Sequence, residues 1–152
     1  KAALNEEAKN FILNNEVVFK VLKKAANRYI GAETIKETLL SVQEWNEKGY
    51  EVTTDFIEES IRNEKDANKA TAKFMNFSRA VKKDHLHSSI SLDLSHIGLL
   101  ISKELAMENL KAICEEAGKM DQEVIISMEG TDRTDSILEV YKETLKTHKI
   151  LA

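Results

Sequence analysis

Ser89-Ile-Ser-Leu-Asp-Leu-Ser-His-Ile-Gly-Leu99 is a short apolar run that carries a carboxylate, Asp93, between two leucines. A charge in such a place must be paired, be solvated in a cleft or have a functional role. Two other runs, Val52-Thr-Thr-Asp55 and Val124-Ile-Ile-Ser-Met128, have the same layout, with apolar residues that end in a polar one. A loop and a helix follow each run. Three such units predict a parallel sheet whose polar ends gather along one edge, and we expect function at that edge.

Composition predicts one globular domain. The chain has 152 residues, of which 42% are apolar and 32% charged, and its formal net charge is −4. This is typical of a folded domain with a real core. The negative charge argues against broad nucleic-acid binding, which needs a basic face. No apolar stretch approaches the roughly 20 residues that a membrane span needs, so we expect neither a nucleic-acid partner nor an integral membrane segment.

The only cysteine, Cys114, cannot form an internal disulfide, which fits a reducing compartment and predicts a cytoplasmic protein. Cys114 shares a helical stripe with Leu110, Ile113 and Ala117. Because free cysteines are often simply buried, this position favours a small core residue over a nucleophile.

The chain is predicted to be a helical prefix followed by four βα units. The prefix, residues 1–27, is one or two helices broken near Asn14 and Asn15. From residue 28 to 152, strand-like runs alternate with helical periodicity, and no linker is rich in Pro, Gly or Ser, so one domain is predicted overall. The predicted strands are 28–32, 51–55, 88–94 and 123–128, and the predicted helices begin at Thr34, run over 64–83, run from the N-cap Ser102 to Gly118, and begin at an N-cap at Thr134 or Asp135.

Two α/β architectures fit this order: a doubly wound open sheet, or half of an eight-stranded βα barrel. The chain matches neither G-x-G-x-x-G nor the P-loop pattern, which counts against nucleotide binding at the first βα turn. Residues 147–152 stop where a helix would lead into a fifth strand. We therefore expect the chain to be a piece of something longer.

Six motifs occur in register along the chain: 28–34, 46–55, 59–60, 92–99, 103–110 and 127–129. Together they resemble bacterial proline dehydrogenase, the flavin-dependent enzyme that oxidises proline to pyrroline-5-carboxylate. The resemblance covers nearly the whole chain from Asn15 onward. It implies a TIM-type βα barrel that holds FAD over the carboxyl ends of its strands. This chain corresponds to the N-terminal half, with about four βα units, and most of the FAD site would lie beyond residue 152.

The active-site positions implied by this resemblance are substituted. The family's third strand, V-K-L-[ST]-Q-L-G-L, has a lysine where this chain has Asp93, and its fourth strand, V-R-[IL]-D-M-E-D, has an aspartate where this chain has Ser127. Asp55 is retained. The resemblance thus implies Asp93 and Ser127 as catalytic positions, Asp55 and Glu129 at the rim of the substrate pocket, and Met128 beside the cofactor.

The residues themselves leave other interpretations open. Asp93 is either an active-site carboxylate or a structural acid bonded to loop amides or a lysine. Ser127 lacks the glycine-flanked turn of a nucleophile, which argues against a Ser-His-Asp triad. Glu129 fits a loop or N-cap acid better than a general base, and a role in holding the loop that follows it fits Asp55 equally well.

Histidines and aromatic residues favour structural interpretations. His85, His87 and His96 lack the spacing of a zinc pair, and no cysteine or acidic cluster completes a set, so we predict loop or surface histidines and no metal. The aromatic residues Trp45, Phe74 and Phe77 lie on predicted helix core stripes, where packing is the simpler role.

The functional prediction is a proline dehydrogenase-like protein whose chain alone has weak or no activity. By resemblance, FAD would supply the redox chemistry and pass electrons to quinone, which would bring the protein to the membrane surface. One alternative is a non-catalytic barrel fragment that binds a partner or pairs with itself through open strand edges. Another is a flavoenzyme with a different amine or imino acid substrate, for which Asp93 would contact a cationic group.

Overall fold

The computed structural model describes residues 5–26, 30–57 and 61–152. Within this described part, the chain forms six α-helices and three strands. In order these are α1 (Glu6–Asn14), α2 (Glu16–Ala26), α3 (Ile35–Glu47), β1 (Val52–Asp55), α4 (Glu64–Lys83), β2 (Ser88–Leu92), α5 (Lys103–Gly118), β3 (Val124–Ile126) and α6 (Thr134–Leu145). No helix among these residues is long and apolar enough to cross a membrane.

The chain divides into two compact units, Lys1–Ser41 and Val42–Ala152. In the first unit the predicted break between two helices is confirmed, because α1 ends at Asn14 and the Asn15 Oδ1 accepts a hydrogen bond from the Val18 backbone N–H at 3.1 Å. An asparagine cap of this kind satisfies an amide at the start of the next helix. The predicted domain boundary at residues 27 and 28 stays a prediction.

The second unit is built on a parallel sheet of order β1-β2-β3. Its register pairs Asp55 with Ser91 and Ser91 with Ile125. Leu151 forms a further parallel bridge with Val124, on the far edge of β3. Strands that follow one another in sequential order, joined by right-handed crossovers, place their helices on one face, as in a βα barrel. The doubly wound alternative reverses strand order at a switch point, and the three described strands show no such reversal.

The first predicted strand, 28–32, is not formed in its described residues, 30–32. Residues 28 and 29 lie outside the described part of the chain, and residues 30–32 have no strand conformation. Ile30 instead donates its backbone N–H to the carbonyl of Ala26, the last residue of α2. Because this helical hydrogen bond uses the Ile30 N–H, that group is not available to pair with a neighbouring strand.

Burial of one helix face explains the core of the second unit. The predicted span of α4 is confirmed, with the Asn63 Oδ1 accepting from the Asp66 backbone N–H at its start. Apolar residues at helical spacing are buried along α4 and α5, and the central strand buries Ile90 and Leu92. The buried residues of these two helices include Ala67, Ala70, Phe74, Phe77, Val81, Ala106, Leu110, Ile113, Cys114 and Ala117.

Strand β2 ends at Leu92, two residues earlier than predicted, because the chain turns into a single 3₁₀ turn over Leu94–His96. Gly98 then adopts a φ of +117°, and a Cβ there would lie 2.8 Å from Leu105 side-chain carbons. The glycine is therefore required both by backbone conformation and by the close approach of α5. Ser102 caps α5 as predicted, with its Oγ accepting from the Leu105 N–H at 3.1 Å.

Of three other predictions, the first two are wrong and the third is confirmed. The N-cap of α6 is Arg133, not Thr134 or Asp135, and its side chain makes no capping bond. Trp45 is exposed and packs edge-on against Tyr50, so it is not a core residue. Cys114 is buried, and that burial raises the pKa of its thiol to about 12, which suits a core residue and not a nucleophile.

Candidate functional site

The polar ends of the three strands meet at one edge of the sheet. Asp55 ends β1, Asp93 directly follows β2, and Ser127 directly follows β3. The Ser127 backbone N–H donates to the Leu92 carbonyl at 3.0 Å, and the Ser127 and Ser91 hydroxyls lie 2.9 Å apart. Because Ser91 is also the register partner of Asp55, all three strands contribute to the same place.

Two hydrogen bonds hold the Glu129 carboxylate at this edge of the sheet. Its Oε1 accepts from the Ser95 backbone N–H at 3.0 Å, and its Oε2 accepts from the Arg133 guanidinium at 2.7 Å. The Glu129 side chain is only 7% exposed. The contact therefore ties the loop after β3 to the 3₁₀ turn after β2 and to the start of α6. Arg133 was not among the sequence-predicted site residues.

His96 differs from its sequence prediction. It is buried, whereas a loop or surface histidine was predicted. Its Nε2 lies 3.8 Å from the Asp93 Oδ2, and its Nδ1 is buried without a hydrogen-bond partner among the described residues. The Asp93 side chain is 34% exposed, so it is open to solvent as well as close to this buried imidazole. We call Asp55, Asp93, His96, Glu129 and Arg133 the rim cluster.

The surroundings of the rim cluster raise the pKa of two of its carboxyls above the ordinary value. Burial is the main cause that raises the pKa of Asp55, and the neighbouring Asp93 charge raises it further. Burial also raises the pKa of Asp93, and Glu129 adds to that rise, while His96 and Arg133 oppose it. Carboxyls of this kind can exchange protons at a milder pH than exposed ones.

The remaining predicted site residues are placed less tightly. Met128 is 54% exposed, and its assignment beside a cofactor stays a prediction. His85 and His87 are exposed and lie before β2, at the end of the sheet opposite Asp93. Across residues 5–26, 30–57 and 61–152, no group of three or more His, Cys, Asp or Glu is arranged to hold a metal ion.

The chemistry that this arrangement allows is binding of a cation and proton transfer. Among the described residues, Asp55 has no ion pair and Asp93 pairs only with His96, at 3.8 Å. Two carboxylates without a permanent cationic partner can hold an ammonium group or accept its proton. The Ser127 hydroxyl, by contrast, is bonded to another serine and not to a histidine, so no Ser-His-Asp triad is built there.

Replacement of Asp93 by asparagine is expected to stabilise the fold near neutral pH and to lose this effect in acid. Folding raises the pKa of Asp93 above its ordinary value of 3.8, so the native state holds that proton more tightly than the unfolded chain. The stability contributed by this carboxyl is present below pH 3.8 and is lost as the pH rises through the raised pKa. Asparagine cannot ionise. Because solvent screens a partly exposed group, we expect a gain of about 1–2 °C in Tm at neutral pH.

Thermal unfolding followed by circular dichroism at neutral pH and below pH 3.8 measures this difference. Asp121→Asn, an exposed residue outside the rim cluster, controls for the change in net charge. An Asp93→Asn variant whose Tm difference from the parent is the same at both pH values would show that burial does not hold the proton on Asp93.

Comparison with known proteins identifies relatives of the second unit and of part of the first. The family model of proline dehydrogenase matches residues 38–151. Proline dehydrogenase 1 of Bacillus subtilis (strain 168) is 30% identical over 138 residues, which cover 88% of this chain and 46% of that protein. Proline dehydrogenase 2 of the same strain is 26% identical over 125 residues, which cover 82% of this chain and 41% of that protein. The chain therefore spans about half the length of the curated relatives it matches.

Among solved structures, the fold is similar to proline utilization A (PutA) from Bdellovibrio bacteriovorus inactivated by N-propargylglycine. The TM-score is 0.75 at 17% sequence identity, and the match covers 88% of this chain and 16% of that chain. At this identity the likeness concerns the fold alone. It agrees with the sequential parallel sheet and with half of a βα barrel.

Proposed function

Because the chain belongs to the proline dehydrogenase family, we propose that it forms part of an FAD-dependent enzyme that oxidises L-proline to pyrroline-5-carboxylate. The supporting observation is the convergence of Asp55, Asp93 and Ser127 at the carboxyl ends of three sequential parallel strands. In βα barrels that end of the strands is where substrates react.

The residues at this edge suit FAD in two respects. Met128 and Ile57 follow β3 and β1 and leave apolar side chains exposed, which a flavin ring could cover. The Arg133 side chain is 27% exposed and adds a positive charge at this edge, with its Nε 3.6 Å from the Asp132 carboxylate. We propose that Met128 and Arg133 hold part of the cofactor. FAD, when bound, supplies the acceptor for the hydride that leaves the carbon beside the ring nitrogen of proline.

In this proposal the protein's own contribution is to bind and orient the substrate amine. Asp93 and Asp55 attract the ring nitrogen of proline, which is a cation before reaction. As the neighbouring carbon loses a hydride, the nitrogen loses a proton, and Asp93 is placed to accept it because burial raises the pKa of its carboxyl. The buried His96 has its Nε2 3.8 Å from the Asp93 Oδ2.

Proline-dependent reduction of an artificial electron-accepting dye tests this proposal. We expect the complete product of the gene to reduce the dye with L-proline. We expect the 152-residue chain alone to react weakly or not at all, because it spans 46% of a curated relative's length. Measurable turnover by the chain alone would overturn the second expectation. A complete product that is folded and contains FAD, yet leaves the dye oxidised with proline, would overturn the first.

A second candidate function is oxidation of a different amine or imino acid by the same fold. It is favoured by one observation: among the described residues, no Lys or Arg lies within ion-pair distance of Asp55 or Asp93. Two carboxylates without a cationic neighbour suit substrates that carry more positive charge than proline. A panel of pyrrolidine, pipecolate and D-proline in the dye assay separates the two candidates. Faster reduction with pyrrolidine, which has no carboxylate, would favour this one.

Self-association is the remaining proposal for a partner. Within the described residues, β1 pairs on one side only, with β2. An open strand edge is commonly covered by another segment or by a second copy. Light scattering of the 152-residue chain distinguishes a monomer from a compact dimer.

We propose a cytoplasmic location, with peripheral contact to the membrane if quinone accepts the electrons.

A further inference from the structure

Asp93 stands at the N-cap of the 3₁₀ turn over Leu94–His96 without capping it. Its backbone is extended, with φ −89° and ψ 133°, as at an ordinary N-cap. An aspartate in that position usually accepts a hydrogen bond from the N–H of the second or third residue of the turn, and the second residue here is Ser95. The Asp93 side chain makes no such bond and is open to solvent at the rim.

Glu129 takes the backbone N–H that Asp93 leaves. Its Oε1 accepts from the Ser95 N–H at 3.0 Å, although the two residues are 34 positions apart in the sequence. Ser95 is buried, so water does not readily replace this acceptor, and a buried N–H without one is costly. An acid from the loop after β3 therefore caps the turn after β2.

The capping carboxylate and the turn are both fixed by further bonds. The Oε2 of Glu129 accepts from the Arg133 guanidinium at 2.7 Å. The Ser95 carbonyl accepts from the backbone N–H of Ile61, in the segment between β1 and α4, at 3.3 Å. The turn is thus held from both neighbouring loops, and none of these bonds uses the Asp93 carboxylate.

The charged groups around Asp93 come from four elements. His96 lies in the same turn, Asp55 ends β1, Glu129 follows β3, and Arg133 is at the start of α6. Burial is the main cause that raises the pKa of Asp93; His96 and Arg133 oppose the rise, and Glu129 adds to it. A hydrogen bond from a backbone N–H would stabilise the charged carboxylate and lower this pKa. An Asp93 that capped its own turn would therefore be a weaker base.

We propose that Glu129 is a positioning residue, which caps the turn in place of Asp93 and so leaves the Asp93 carboxylate free to face the substrate amine. The proposal rests on the proposed oxidation, in which Asp93 accepts a proton from that amine. It implies a definite rearrangement. When Glu129 is removed, the Asp93 carboxylate turns onto the Ser95 N–H, as an aspartate at an N-cap usually does.

Nuclear magnetic resonance of the complete product of the gene, labelled with ¹⁵N at serine, identifies the acceptor of the Ser95 N–H. An amide bonded to a carboxylate shifts as that carboxylate titrates. We expect the Ser95 N–H of the parent to shift with pH and to keep this shift in Asp93→Asn, because Glu129 is its acceptor. In Glu129→Ala the shift should follow Asp93 instead, and adding Asp93→Asn to that variant should abolish it.

Arg133→Met is the matched control, because it removes the ion pair and keeps the capping acid. Its Ser95 N–H should shift as in the parent. If the shift is lost in Asp93→Asn alone, Asp93 is already the cap and the proposal fails, whether or not Glu129→Ala folds. A folded Glu129→Ala whose Ser95 N–H no longer shifts with pH would also overturn it, since Asp93 would then not take the freed amide.

Proline-dependent dye reduction tests the consequence for the reaction. We expect Glu129→Ala in the complete product to lower kcat about tenfold or more, since a positioned base contributes at least that much. The acid limb of its pH profile should move to lower pH, because a capping Asp93 has a lower pKa. An unmoved limb in the folded variant would mean that Glu129 serves the fold alone, and the proposal fails. A parent that does not oxidise proline rejects the proposed oxidation, whereas the Ser95 measurement still decides which acid caps the turn.

Discussion

Replacing Glu129 by alanine is expected to lower the free energy of unfolding by about 2–4 kcal/mol, somewhat less than the cost of breaking a fully buried ion pair, because the Arg133 side chain left behind is 27% exposed. The Glu129 side chain is 7% exposed and accepts bonds from the Arg133 guanidinium and the Ser95 backbone N–H. Alanine removes the acceptor of both donors. It also releases the loop after β3 from the 3₁₀ turn that carries His96.

Urea unfolding followed by circular dichroism measures this loss. The matched control is Glu139→Ala, which removes an ion pair of similar length, 2.6 Å to Lys103, from a side chain that is 63% exposed. Its expected cost is below about 1 kcal/mol, since solvent screens the pair. Equal losses in the two variants would mean that Glu129 is no more important to the fold than a surface acid.

Replacing Ile90 by alanine is expected to cost about 2–5 kcal/mol, the range found when a buried aliphatic side chain is truncated. Ile90 lies in the central strand and is fully buried. Its register partners are Thr54 on β1 and Val124 on β3, so the cavity left behind would lie against the face of the sheet at its central strand. Neighbouring backbones fixed by ladder hydrogen bonds cannot readily close such a space.

Ile57→Ala is the matched control for this variant, because it is the same chemical change at a side chain that is 78% exposed. It should change the free energy of unfolding by no more than about 0.5 kcal/mol. A small effect of Ile90→Ala, within the error of the Ile57→Ala value, would contradict the assignment of β2 as the buried centre of the sheet.

Periodicity predicted the helices of the second unit well, because each buries one apolar face. The span of α4 and the cap and end of α5 are those expected from the sequence. Strand ends were predicted less well, since β2 and β3 both stop earlier than their apolar runs. In β2 the run continues into a 3₁₀ turn whose Leu94 is buried, and burial alone does not distinguish the two conformations.

The gathering of Asp55, Asp93 and Ser127 at one edge was predictable, because parallel strands end on the same side. The pairing of Glu129 with Arg133 and the burial of His96 were not predicted. Both had a signal: Arg133 lies four residues after Glu129, and His96 lies between Leu94 and Ile97 in an apolar run. The roles of these residues, like those of Asp93, Ser127 and Met128, stay predictions.

The response of bound flavin to L-proline tests the central claim most directly. The complete product of the gene is purified, its visible flavin absorbance is recorded, and L-proline is added in the absence of oxygen. Our account predicts bound flavin that loses this absorbance with L-proline and keeps it in buffer alone. A folded protein without flavin, or with flavin that L-proline leaves oxidised while another amine reduces it, would contradict the proposed proline oxidation.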